Sequence, residues 1–79
     1  MPKGVLEGSG PLARLRVLAG LTQAAAAAKL GISPQHLQRL EAGHHDPRAA
    51  LITSMAKAYR VTIEVVMRAV ESARRAAAA

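Results

Sequence analysis

The sequence predicts an all-α fold of five short helices, and three observations carry that prediction. Apolar residues recur at helical spacing between glycine stops. Ser, Thr or Asp stands before most of the apolar runs, twice with proline directly after it. No segment of useful length alternates with the period of two that a half-buried strand requires, and β-branched residues are few.

The elements follow in order. Residues 1–10, MPKGVLEGSG, mix Gly, Pro and Ser with few apolar residues and read as a flexible arm. Pro11 can open a helix, because the N–H it lacks would have no partner in the first turn. Leu12, Leu15 and Ala19 then share one face, and Gly20 suits a stop, so the first helix is placed over 11–19. Thr22 can cap a second helix over 23–30, whose body of five alanines has the highest helix propensity available. Gly31 closes it. Ser33-Pro34 combines a hydroxyl cap with proline at the first helical position, and the third helix runs to about Ala42, before Gly43. Asp46-Pro47 repeats the device for a fourth helix ending near Tyr59. Thr62 caps a fifth that continues through Val70. Residues 11–71 form the domain and 72–79 a frayed, polar tail. Connections of about two to five residues fit a compact bundle.

Composition bounds the function. The chain has 79 residues, enough for one domain. Eighteen are alanine, none is Phe or Trp, and Tyr59 is the single aromatic residue, so the core is thin. Marginal monomer stability, or help from a partner, is expected. There is no cysteine, which excludes disulfides and Cys-ligated zinc. No apolar run suits a signal peptide or a membrane span, so a cytoplasmic protein is expected. Eleven Lys and Arg against five Asp and Glu give a net charge of +6. That surplus favours a polyanion, nucleic acid first and an anionic membrane surface second, and it also fits a merely solvated basic surface. No paired carboxylates, phosphate loop or Ser/His/Asp set points to an enzyme. His44-His45-Asp46 is a weak metal candidate, since adjacent residues point apart and no third ligand is placed. No cofactor is implied.

The informative stretch is LTQAAAAAKLGISPQHLQRLEAG, residues 21–43. Two short helices around a glycine turn make a helix-turn-helix unit. Gly31 supplies the positive φ of the turn, and Ala27 lets the helices approach. Leu30, Ile32, Leu37 and Leu40 fill the angle between them. At about 100° per residue, Leu37, Leu40 and Glu41 face the core on the third helix. The opposite side is centred on Gln35, Arg39 and Ala42, flanked by His36 and Gln38. Gln35 and Arg39 suit bidentate contacts with adenine and guanine in a major groove, so Gln35, His36, Gln38 and Arg39 form the candidate base-reading set. Gln23, beside the helix N-terminal N–H groups, suits a phosphate.

These motifs resemble the XRE family, the helix-turn-helix of the lambda repressor and Cro type. The pattern appears as L-x-x-L-R (12–16), G-L-T-Q (20–23), A-x-K-L-G-I-S (27–33), L-x-R-L-E-x-G (37–43), Pro47 and M-A-K-A-Y-x-V-T (55–62). The resemblance implies a five-helix domain that binds double-stranded DNA, usually as a homodimer on a palindromic operator, with the third helix in the major groove. It also implies phosphate contacts from Thr22, Gln23, His44, His45 and Arg48, and an ion pair between Arg16 and Glu41 that fixes the recognition helix. Pro34 and Ala42 stand where many relatives carry polar DNA-contacting residues, Ala26 where Leu is usual, and Arg60 where Gly or Asn would ease a left-handed helix end.

Two surfaces remain. The fifth helix is more apolar than one core face needs, and dimerisation through Val65, Val66, Ala69 and Val70 is expected from its composition and the family analogy. Val17, Leu18, Ala24, Ala25 and Ala28 replace residues usually charged in relatives. They fit either a contact surface for a protein partner or a scatter of exposed small residues. A transcriptional repressor is the leading expectation. The alternative is a protein-interaction module such as an antitoxin that also binds its own promoter.

Overall fold

The computed structural model describes residues 10–78, so the expected arm lies, except for Gly10, outside the described residues. Five helices follow one another: α1 (Pro11–Leu18), α2 (Gln23–Leu30), α3 (Pro34–Glu41), α4 (Ala49–Tyr59) and α5 (Ile63–Ala78). No strand occurs among the described residues.

Local chemistry sets the boundaries. Thr22 Oγ1 accepts from Ala25 N–H at 3.0 Å, Ser33 Oγ from His36 N–H at 3.1 Å and Thr62 Oγ1 from Val65 N–H at 3.2 Å. Each hydroxyl occupies a donor that the first helical turn leaves without a backbone partner. Gly31 ends α2 at φ 71°, which directs Ile32 N–H back to Ala27 O at 3.0 Å. That hydrogen bond closes a Schellman turn and swings the chain into α3. Arg60 ends α4 in the same way at φ 59°, the one non-glycine residue with positive φ among the described residues. A Cβ in that region crowds the following carbonyl, so the α4–α5 turn holds local strain.

Two elements depart from the sequence expectation. Asp46-Pro47 does not open α4. Arg48 takes the cap position without a side-chain hydrogen bond, and α4 begins at Ala49. The Asp46 carboxylate instead meets Arg74 Nε on α5 at 3.2 Å. The second departure is the tail. The helix does not fray after residue 71 but continues to Ala78, and Ala73 is buried. Alanine and arginine propagate a helix well, and Ala73 has a surface to cover.

That surface is the end of α3. Gly43 has φ 82°, and a Cβ there would run into the Ala73 carbonyl, with the carbonyl carbon at 2.7 Å. The backbone of the α3–α4 loop therefore lies directly on α5. Elsewhere α5 packs on α4 and α1, and α2 on α3 and α4. Leu12, Leu37, Met55 and Val66 are fully buried at the centre, filled in by Ala26, Ala27, Ala56, Ala69 and Tyr59. Val66 and Ala69 thus belong to the chain's own core and cannot form a dimer interface. Of the four residues expected there, Val65 is exposed and Val70 half-buried. These two point about 140° apart around the helix, too far for one flat contact.

Gly31 and Gly43 both have positive φ, but only Gly43 is crowded, because nothing lies within 4 Å of a Cβ placed on Gly31. Gly31→Ala is expected to cost about 1–2 kcal/mol from backbone strain alone. Gly43→Ala adds overpacking and is expected to cost at least about 3 kcal/mol. Urea unfolding of the two variants, followed by helical circular dichroism, measures the difference.

Candidate nucleic-acid interface

The site is built outward from a buried charge. Arg16 on α1 is completely buried, and its Nε donates to Glu41 Oε2 on α3 at 2.7 Å. Nη2 reaches Glu41 Oε1 at 3.4 Å, and Nη1 donates to Leu21 O at 3.0 Å, in the turn before α2. One guanidinium therefore ties three segments: the helix that carries it, the entry to α2 and the end of α3. A buried pair of this kind is costly to break from one side, because the remaining charge keeps its desolvation penalty.

Tyr59, on α4, lies against this pair. Its hydroxyl is buried and has no hydrogen-bond partner among the described residues. Burial first and the Glu41 carboxylate second push its pKa up to about 12, with Arg16 partly offsetting the rise.

From Glu41 the polar contacts run to the surface. Gln23 Nε2, in the first turn of α2, donates to Glu41 Oε1 at 3.1 Å. Gln38 Nε2, on α3, donates to Gln23 Oε1 at 3.3 Å. Gln23 and Gln38, expected separately on phosphate and on bases, thus touch each other. Side-chain bonds between helices leave no periodic signal. Thr22 is half-buried beside them, and since its oxygen accepts the Ala25 N–H, what it has to offer an anion is its hydroxyl hydrogen.

The outer side of α3 carries Gln35, Gln38 and Arg39, all exposed. His36 departs from this group. It is half-buried, its Nε2 is enclosed without a partner among the described residues, and its ring meets that of His45 edge-on, with centroids 4.8 Å apart. It is turned against the α3–α4 loop, on the opposite flank of α3 from Gln38. His44, His45 and Arg48 are exposed along that loop. The acidic side chains of this region are already engaged, Glu41 by Arg16 and Asp46 by Arg74, whereas Lys29, Arg39 and Arg48 are exposed. The local field is therefore positive.

Leu18, at the end of α1, is 78% exposed, with Val17 half-buried and Ala24, Ala25 and Ala28 exposed on α2. Ile63 and Met67 on α5 are 46% and 53% exposed. Among the described residues no cluster of three or more His, Cys, Asp or Glu is placed to hold a metal ion. No helix among them is long and apolar enough to cross a membrane. A family model described as helix-turn-helix matches residues 12–66, about two thirds of the chain. No curated protein and no solved structure matches.

Two outcomes follow from the buried cluster. Arg16→Met and Glu41→Leu should each cost about 3–5 kcal/mol, while the double variant, which leaves no uncompensated charge, should recover much of that loss. Denaturant titration of the four proteins measures the coupling. For Tyr59, the folded state keeps the phenol proton between pH 10 and about 12, where the unfolded chain has released it. Stability then falls as pH rises through that window. Tyr59→Phe should remove this fall, as seen by comparing unfolding midpoints of both proteins at pH 8 and pH 11.

Proposed function

The chain belongs to the XRE family of helix-turn-helix DNA-binding regulators, and on that premise we propose that it is a sequence-specific repressor. It acts as a homodimer on a palindromic operator, with α3 in the major groove of each half-site. The observation that carries the proposal is a rigidly mounted polar helix face. Gln35 and Arg39 stand exposed on α3, and the same helix is bolted to the core through Glu41 and Arg16. A helix held in place before binding has little backbone order left to gain, which favours base contacts over loose charge attraction.

In this reading Arg39 donates two hydrogen bonds to guanine, Gln35 pairs with adenine, and Gln38 contacts a neighbouring base. Gln23, Thr22 and the first N–H groups of α2 hold one phosphate, and His44, His45 and Arg48 hold others. Repression is steric: two half-sites about 34 Å apart are covered, and polymerase is excluded. The exposed apolar residues of α5 suited to pairing are Ile63 and Met67 beside Val70, in place of the buried Val66 and Ala69. Leu18 and its neighbours favour a second reading, a module that binds a protein partner such as a toxin and also its own promoter.

Selection of bound sequences from a random duplex pool tests the proposal. The expected result is a palindromic motif, whose symmetry reports two copies. In Arg39→Ala one base pair per half-site should relax, at about 1–3 kcal/mol. Enrichment of no motif by the native protein would overturn the repressor reading and leave the protein-partner one.

A further inference from the structure

The chain of contacts from Glu41 to the surface has a direction. A carboxylate paired with arginine has oxygens and no hydrogen to give, so it accepts only. Gln23, 3.1 Å from Glu41 Oε1, must present its amide nitrogen to it. The reversed amide would set oxygen against oxygen. With its nitrogen committed inward, Gln23 turns its oxygen toward Gln38, and Gln38 must in turn present nitrogen, at 3.3 Å. The Gln38 oxygen is then wholly unengaged and turned away from Gln23, while its nitrogen keeps one of its two hydrogens. Each step is set by the one before it, and the first is fixed by a charge that is buried and held at 2.7 Å.

We infer that the Glu41–Gln23–Gln38 relay fixes the polarity with which Gln38 meets DNA, so that Gln38 reads its base oxygen-first. An acceptor leading at that position favours bases whose major-groove edge carries an amino group, adenine through N6 or cytosine through N4. Gln23 is then a positioning residue for base readout as well as a phosphate ligand. One of its amide hydrogens serves Glu41 and the other remains for the phosphate. The inference rests on the proposed reading of α3 as the recognition helix, but the relay itself exists in the free protein.

Two variants and two measurements separate these layers. In the duplex selection, Gln38→Ala marks the position that Gln38 reads, and the native protein should hold adenine or cytosine there. Gln23→Met keeps the length and helix propensity of the side chain but has no polarity to transmit. It should admit guanine and thymine at that same position, reducing the native preference roughly tenfold, with the Arg39 position unchanged. The inference is overturned if no position responds to Gln38→Ala, if the native base there is guanine or thymine, or if Gln23→Met weakens all sequences alike and leaves the motif intact. The last result is that of a phosphate contact alone. Should the native protein enrich no motif, the repressor reading fails and nuclear magnetic resonance of the free protein decides the relay. The side-chain amide protons of Gln23 and Gln38 should exchange with water more slowly than those of Gln35, and those of Gln38 should speed up in Gln23→Met. Equal rates for all three glutamines would overturn it.

Discussion

The bond between Arg16 and Glu41 is the constraint on which the rest of the molecule depends. In a domain with no Phe or Trp, hydrophobic area alone fixes helix orientation weakly, because small side chains make few interlocking contacts. A fully buried guanidinium is different, since it needs partners at defined distances and angles. Here it finds them on α3 and in the α1–α2 turn, so three segments are positioned by one planar group. The helix-turn-helix is thereby anchored at both ends, at Leu21 before α2 and at Glu41 in the last turn of α3. Glu41 also receives Gln23, which gives the buried charge an outlet toward the surface.

Much of this architecture was legible in the sequence, and the reasons are local. Thr22, Ser33 and Thr62 announce helix starts because a cap is a bond between residues three apart. Gly31 announces the turn because its φ is read from one position. The core side of α3 follows from periodicity, and Leu37, Leu40 and Glu41 are buried accordingly. What failed was decided at long range. Asp46 carries a cap signature, but its carboxylate is drawn to Arg74, 28 positions later. The run after residue 71 looks polar enough to fray, yet Ala73 has Gly43 to pack on. Val66 and Ala69 read as surplus apolar surface because the chain gives no count of how many neighbours α5 must cover. His36 sits at the edge of the exposed arc on a helical wheel, and the loop carrying His45 claims it.

The net charge of +6 is also redistributed by the fold. Arg16 is spent inside the protein, and Arg74 and Arg75 pair with Asp46 and Glu71. These exposed pairs add little stability, but the first of them offsets the negative charge of Asp46 in the loop that follows α3. What faces outward around the helix-turn-helix is a small set of cations with no acidic competitor. Such a patch is weaker than the total charge suggests and better confined to one side of the molecule.

The alanine core has a thermodynamic consequence. Ala26 and Ala27 are almost wholly buried, as are Ala56, Ala69 and Ala73, and each contributes a methyl group where a larger domain would use a branched or aromatic side chain. The rise in heat capacity on unfolding scales with the apolar area exposed, so for this chain the rise is small. Its stability curve is correspondingly flat. The folded population varies slowly as temperature changes, without the steep maximum of a domain with a large greasy interior. A protein of this kind keeps nearly the same fraction of itself competent to bind across a broad thermal range, even though that fraction is held by a shallow free-energy well.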